Sequence, residues 1–226
     1  MKSTSVGRTL DENGDPVPGS GFEVDPDGDL AKKLRERTGP LVSNPVSQEW
    51  VADLEPPEDT GGEYHSALFL IAGEGPPEHY HEHSTERFAV EAGATTFRID
   101  DRDRRLTAGE TITVDPSERH TFTVGGSELC YMIVDIDSPG RLRQVLPTLS
   151  GLAHEGKADS PLQQALIARR LSGNTVFTEI NPDLSRRLNA VLAPIARLRG
   201  YQGAYSKYMR EAFWERHVEQ PEIVRE

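Results

Sequence analysis

Histidines are few in this sequence, yet several of them lie close together. The chain has seven, and four fall within one short stretch: His65, His79, His81 and His83. Successive side chains alternate between faces in an extended segment, so His79 and His81 can offer two imidazoles to one ion. Glu86 follows after the next bend, and His120 ends a second strand–turn–strand segment. Three imidazoles and one carboxylate suit one divalent transition-metal ion, such as Fe(II), Mn(II), Ni(II) or Zn(II), with two coordination positions left open.

Two sequence motifs contain these residues. The first, from Gly73 to Gly93, reads G-x5-H-x-H-x4-E-x6-G, and it matches every fixed position of the first motif of the cupin superfamily. The second segment resembles the second cupin motif at Gly109 and His120. It departs from that motif where proline, glycine and asparagine are usual, at Asp115, Ser117 and Val124. The resemblance implies a jelly-roll barrel whose mouth holds a metal ion, bound by His79, His81, Glu86 and His120.

Other side chains near the motifs are candidates for a substrate pocket. Phe88 lies two residues after Glu86, and Phe122 lies two residues after His120. Side chains two apart on a strand point to the same face, so both phenylalanines are expected to face the barrel interior. The predicted pocket residues are Phe88, Phe122, Tyr131 and His65, and ordinary core packing is the alternative for each. His83 fits the metal pattern less well than His81, so we interpret it as a neighbour of the ligands or a solvent-facing residue.

The 226 residues divide into three regions of different character. Residues 1–40 form an acidic arm that is expected to be partly mobile. Within it, the Gly-, Pro- and Asp-rich stretch 11–29 should form no packed element, and residues 29–37 should form a short helix. Residues 41–138 contain β-rich runs between turn signals. The predicted strands are 49–54, 64–72, 87–91, 95–100, 111–114, 121–124 and 128–136. We therefore predict a mainly β fold, a double-stranded β-helix or jelly-roll barrel.

Residues 139–226 have a helical period and form the predicted α-helical C-terminal extension. Leucine-rich stripes predict helices over 142–152, 162–171 and 184–198, and an aromatic helix should follow over 201–217. Pro194 should kink or divide the third helix. Packing against the barrel or across a homodimer is the expected use of these helices. The basic amphipathic stretch 184–199 also suits contact with an anionic membrane surface.

The composition limits which partners and which cellular compartment are expected for this protein. With 37 acidic and 25 basic residues, a formal charge of −12 argues against nucleic acid as the main partner. A segment with some features of a helix-turn-helix, 163–176, is more simply a helix stop followed by extended chain. The acidic, lysine-poor surface suits a halophilic cytoplasm, although an ordinary acidic protein fits as well. The single Cys130 excludes an internal disulfide, and without a long apolar run the chain is predicted to be cytoplasmic.

The predicted activity is that of a metal-dependent enzyme acting on a small organic substrate that chelates the ion. The favoured class is an oxidoreductase resembling cupin dioxygenases. A non-redox lyase, isomerase or cyclase is the alternative, and so is a small-ligand sensor without catalysis. Beyond the metal centre, the sequence identifies no catalytic residue.

Overall fold

The computed structural model describes residues 3–55, 62–125, 129–178 and 181–221, and over these residues the chain is mainly β. The strands are β1 (Thr4–Val6), β2 (Phe22–Val24), β3 (Val42–Asn44), β4 (Glu49–Asp53), β5 (Tyr64–Ile71), β6 (His79–His81), β7 (Thr85–Ala92), β8 (Ala94–Ile99), β9 (Arg102–Thr107), β10 (Thr111–Val114), β11 (His120–Thr123), β12 (Cys130–Asp137) and β13 (Thr175–Phe177). The seven predicted strands are therefore confirmed with small shifts at their ends, except that Glu128 lies outside the described residues.

Two antiparallel sheets form the barrel. The first has the strand order β10-β7-β12-β5-β4-β3, and the second has the order β13-β6-β11-β8-β9. Their inner faces meet through aromatic side chains, since the ring centroids of Phe69 and Phe122 lie 6.0 Å apart and those of Phe88 and Phe122 lie 5.9 Å apart. This arrangement confirms the predicted jelly-roll class.

The core of the barrel follows from strand alternation. In β12, Cys130, Met132 and Val134 are buried, and these alternate residues lie opposite β5 and β7. Burial raises the pKa of the Cys130 thiol to about 11, so the group stays protonated and packs as an apolar side chain. The interior is thus closed by apolar residues of both sheets.

The C-terminal helices pack on the barrel at the β3 edge of the first sheet and at the β13 edge of the second. The helix bounds are α1 (Asp29–Glu36), α2 (Leu142–His154), α3 (Pro161–Leu171), α4 (Pro182–Leu198) and α5 (Glu211–His217), with a 3-10 turn at Ser206–Met209. Val145 of α2 and Trp214 of α5 are buried in the same hydrophobic cluster as the barrel core. No helix within the described ranges is both long and apolar enough to span a bilayer.

Capping residues explain where the C-terminal helices begin. Ser160 accepts a hydrogen bond from the Gln163 amide at the start of α3, and Asn181 accepts two at the start of α4. The predicted division of the third helix at Pro194 is wrong, because α4 continues through this residue to Leu198.

The predicted aromatic helix over 201–217 is too long, since only its last seven residues, Glu211–His217, form an α-helix. The segment before this helix packs closely on α3 at Gly203. A Cβ atom there would lie 2.7 Å from the carbonyl oxygen of Leu166, so the backbone of this segment presses against α3.

The expectation that 11–29 forms no packed element is wrong. Phe22 and Val24 alternate inward on β2 and are buried, and β2 pairs with β1. The ring of Phe22 contacts Trp50 at 5.0 Å between centroids, and Trp50 Nε1 donates a hydrogen bond to the Gly7 carbonyl. Two apolar residues suffice to pack this segment because Trp50 offers them an outer surface of the barrel.

Strand β13 joins the C-terminal region to the barrel. It follows α3 and pairs antiparallel with β6, so that Thr175 lies opposite His81 and Phe177 opposite His79. The barrel therefore includes residues beyond the predicted boundary at 138. Extended chain, not a recognition helix, follows α3.

Candidate metal centre

Four side chains from both sheets converge inside the barrel. His79 and His81 lie on β6, His120 lies beside His79 on β11, and Glu86 reaches in from β7 of the opposite sheet. All four are buried, and one donor atom from each lies within 4.8 Å of the others. Glu86 Oε2 is 2.8 Å from His120 Nε2, and Glu86 Oε1 is 3.3 Å from His81 Nε2. The structure thus brings together the four residues that the sequence singled out.

Each imidazole is held by its Nδ1 atom. His79 Nδ1 lies 2.8 Å from the Pro77 carbonyl oxygen, and His120 Nδ1 lies 3.1 Å from the Glu118 carbonyl oxygen. A carbonyl can only accept, so both rings donate from Nδ1. His81 Nδ1 is 3.0 Å from the hydroxyl of Thr175 on β13. These bonds fix the ring orientations and leave the Nε2 atoms of His81 and His120 beside Glu86, the arrangement usual for metal-ligating histidines.

The charge states of Glu86 and His79 suit metal binding, whereas His120 must give up a proton to bind an ion. Burial disfavours the charged form of His120, but its bond to Glu86 outweighs burial and raises its pKa. Burial opposes ionisation of Glu86, but the hydrogen bond with His120 and the close approach of the His81 ring more than offset this and hold the carboxyl pKa well below its usual range. Burial, together with repulsion from His120, lowers the pKa of His79 to about 4. At neutral pH the carboxylate is therefore charged and His79 is neutral, as metal ligands must be.

The hydrogen bonding of one ligand atom indicates whether a metal ion fits this cluster. His81 Nε2 is buried and makes no hydrogen bond within the described ranges, even to Glu86 Oε1 at 3.3 Å, although a buried imidazole nitrogen normally makes one. Three imidazole nitrogens and a carboxylate oxygen around one point form a donor set suited to a divalent transition metal. These four residues could therefore hold one such ion.

The walls next to this cluster are aromatic. Phe88 and Phe122 face the interior as the strand parity predicts, and the ring of Phe88 lies 6.4 Å from that of His120. Sequence reasoning missed Phe97, which contacts both rings, and Phe177, which lies 5.9 Å from His79. Parity on β8 could have revealed Phe97. Phe177 becomes a neighbour only through the pairing of β13 with β6.

His65 is inside the barrel but belongs to a different group. It lies opposite Ile136, which in turn lies opposite Glu86, so His65 and Glu86 share one face of the sheet. Its Nε2 atom is 2.8 Å from Asp53 Oδ1, and Arg143 donates to the other carboxylate oxygen of Asp53. Burial opposes ionisation of Asp53, yet the bonds from His65 and Arg143 lower its pKa overall.

Two other candidates lie away from the interior. Tyr131 lies on the face of β12 opposite to Met132, whose partner Phe69 points inward, so the prediction that Tyr131 lines the pocket is wrong. Tyr131 is half-buried there, packed against the hydrophobic core cluster. His83 follows β6, is exposed, and takes no part in the four-residue cluster.

Comparison with known proteins agrees with the fold. Residues 68–136 match the family model of the Cupin domain. None of the curated proteins matches the chain. Among solved structures, a Thermotoga maritima protein titled a "predicted oxalate decarboxylase" is 21% identical over 40% of this chain and 80% of its own, with a TM-score of 0.38. The cupin domain of Cnp3 from Schizosaccharomyces pombe is 15% identical over 61% and 88%, with a TM-score of 0.38.

A third structure is a sugar phosphate isomerase of the cupin superfamily from Silicibacter pomeroyi. It is 21% identical over 39% of this chain and 59% of its own, with a TM-score of 0.34. Scores this low carry no argument about activity. The match of the family model, together with the two sheets and the motif residues, shows that the chain contains a cupin domain.

Proposed function

We propose that this protein binds one divalent transition-metal ion through His79, His81, Glu86 and His120 and acts on a small organic molecule beside it. The observation that carries the proposal is the convergence of three Nδ1-anchored imidazoles on one ionised, buried carboxylate. Anchored rings cost little additional ordering when they bind an ion, because their orientation is already fixed by the fold.

The reaction class we propose is oxidation of the substrate by dioxygen. A redox-active divalent ion supplies dioxygen activation when bound, and both oxygen atoms enter the substrate, so no separate electron donor is needed. The contribution of the chain is to shape the site. Phe88, Phe97 and Phe122 form an apolar wall that excludes water and suits a planar or apolar substrate body.

A second candidate, non-redox lyase or isomerase chemistry, is favoured by the position of His65. Such reactions need a group that moves a proton, and the His65–Asp53 pair has the arrangement of an oriented general base. His65 shares the sheet face of Glu86, with one strand between them, so their Cα atoms are about 10 Å apart. A substrate held near the ion could span that distance.

Metal analysis of the purified protein tests the binding step. We expect close to one transition-metal ion per chain, and we expect His81→Ala to lose it because one donor is removed. His83→Ala is the matched control, since His83 is exposed and lies two residues away on the same segment. Equal metal content in both variants, or none in the native protein, would contradict the proposal.

Substrate screening with the Fe(II)- and Zn(II)-loaded protein then separates the two reaction classes. Oxidation predicts uptake of dioxygen with the Fe(II) form and incorporation of labelled oxygen into the product. Turnover that proceeds without oxygen, with either ion, and that falls at least ~100-fold in His65→Gln would instead establish the proton-transfer alternative.

A further inference from the structure

Helix α4 (Pro182–Leu198) is packed on only one of its faces. Ala193 and Ala196 are fully buried against Leu166 of α3, and small side chains there let the two helices approach closely. A second stripe of α4 points to solvent. It consists of five large apolar residues that are between 43% and 89% exposed: Leu184, Leu188, Val191, Ile195 and Leu198. We call these five residues the α4 stripe.

The α4 stripe is where exposed apolar area concentrates. Only three other large apolar residues in the described part of the chain are exposed: Val17, Val46 and Met209. Those three are scattered, as single exposed apolar residues usually are, whereas a contiguous patch marks a contact surface. Something therefore covers the stripe when the protein is assembled.

The spacing of the α4 stripe indicates what covers it. Successive members are four, three, four and three residues apart, which is the a/d pattern of a heptad repeat. At 100° per residue the five side chains fall within about 80° of the helix circumference. A narrow seam of this kind fits one other helix, because knobs of one helix then fill holes of its neighbour.

We propose that the α4 stripe of one copy of this chain packs against the α4 stripe of a second copy, forming a two-fold symmetric dimer. Burying the exposed parts of five side chains removes on the order of 500 Å² per copy from water, so the pair reaches about 1,000 Å², the lower bound for a specific interface. The interface is isologous, so no other surface of the chain has to be complementary to it.

Charge decides the relative direction of the two helices. Asp183 lies at the start of α4, and Arg199 follows its last residue. An antiparallel pair places the Asp183 end of one helix beside the Arg199 end of the other and opposes the helix dipoles favourably. A parallel pair would instead bring identical charges to the same level. The two α4 helices are therefore antiparallel.

An anionic membrane is the competing occupant of the α4 stripe, because arginines flank it. The stripe contains no aromatic residue, although helices that lie in a membrane surface commonly carry Trp or Phe on the apolar face. The formal charge of −12 on the chain also opposes approach to an anionic surface. A second copy fits the observations better.

Sedimentation velocity of the full chain tests this inference, which does not depend on the metal site. We expect the native protein to sediment at twice the chain mass of 25.0 kDa. The double variant Leu188→Glu/Ile195→Glu should weaken self-association at least ~100-fold, since it buries two unpaired charges per copy. Ala190→Glu is the matched control, because Ala190 is exposed on α4 but lies off the stripe.

Three results would overturn the proposal. They are a monomeric native protein, a double variant that remains dimeric, and a control that dissociates as fully as the double variant. Circular dichroism and metal content should be unchanged in both variants, because every substituted residue is exposed. Binding of a monomeric native protein to vesicles of phosphatidylcholine and phosphatidylglycerol, lost in the double variant, would assign the stripe to a membrane. A disulfide formed by Leu184→Cys across the dimer would overturn the antiparallel direction.

Discussion

The protein contains two groups of histidines that differ in what their ring nitrogens contact. In the barrel, His79, His81 and His120 use Nδ1 for an anchor, and His81 and His120 hold Nε2 beside Glu86. Between α2 and α5, His154 uses Nε2 for the hydroxyl of Ser43, and His217 uses Nδ1 for the Phe213 carbonyl. In the described residues no carboxylate bonds to this second pair.

The difference shows what turns buried imidazoles into ligands. The His154 and His217 rings lie 5.7 Å apart, about as close as the His81 and His120 rings at 5.5 Å. Proximity is therefore not the distinguishing feature. The barrel group has a buried carboxylate beside its Nε2 atoms, and this negative charge attracts a cation. In the second group, His154 packs against Trp214 and His217 stacks on Phe213, so these rings serve the packing of the helices.

The largest effect is expected from removing the charge at the centre of the barrel group. Glu86→Gln keeps the side-chain volume but loses the carboxylate, so metal affinity should fall more than ~100-fold, beyond the ~10–100-fold typical of an outer partner. Isothermal titration with Zn(II) measures this. Glu91→Gln on the outward face of the same strand is the control, and an equal loss in both variants would contradict the role of Glu86.

A smaller effect is expected from the anchor of His81. Thr175→Val removes the hydroxyl at nearly constant volume, and metal affinity should fall ~10–100-fold because the ring loses its fixed orientation. Thr175→Ser retains the hydroxyl and should restore most of the affinity. If the serine variant binds as weakly as the valine variant, the methyl group of Thr175 and not its hydrogen bond is what matters.

In the second group, substitution should change stability and leave metal binding intact. Ser43→Ala removes the buried partner of His154 Nε2, so the free energy of unfolding should fall by about 1–3 kcal/mol. Urea denaturation of the metal-free protein measures it. A drop in metal affinity in this variant would show that the two groups are coupled, against the separation drawn above.

The last prediction concerns acid stability. Burial and the neighbouring His217 lower the pKa of His154 from 6.5 to about 4. The unfolded chain therefore binds this proton at higher pH than the folded protein does, and stability is lost as pH falls through that interval. His154→Gln should reduce the slope of unfolding free energy against pH there by about 1 kcal/mol per pH unit. An unchanged slope would show that a group other than His154 causes the loss of stability in this pH range.

Local patterns were enough to predict much of the barrel and its candidate site. The i, i+2 spacing of His79 and His81 and the parity of Phe88 depend only on strand geometry, so they could be deduced before any tertiary contact was known. The resemblance to the cupin motifs supplied Glu86 and His120 as their companions. The prediction for Tyr131 failed because the sequence does not indicate which set of alternate residues on β12 faces inward.

The features that were missed depend on contacts between distant parts of the chain. Thr175 lies opposite His81 only because β13 returns to the barrel after two helices. Strand β9 was missed because Arg102–Thr107 carries four charged residues, which an exposed edge strand tolerates and a pattern search reads as a turn. Phe22 needed Trp50, nearly thirty residues away, to become part of the core.

Strand β13 also has a consequence for the order in which the protein is completed. The strand that carries His79 and His81 has β11 on one side and β13 on the other, and its second neighbour lies 94 residues away along the chain. Contacts of such long sequence separation form slowly, and during synthesis this one must wait until residue 177 has left the ribosome. Until then the edge of the barrel that carries these histidines stays open, so the nascent chain can hold a metal ion tightly only after most of it has been made.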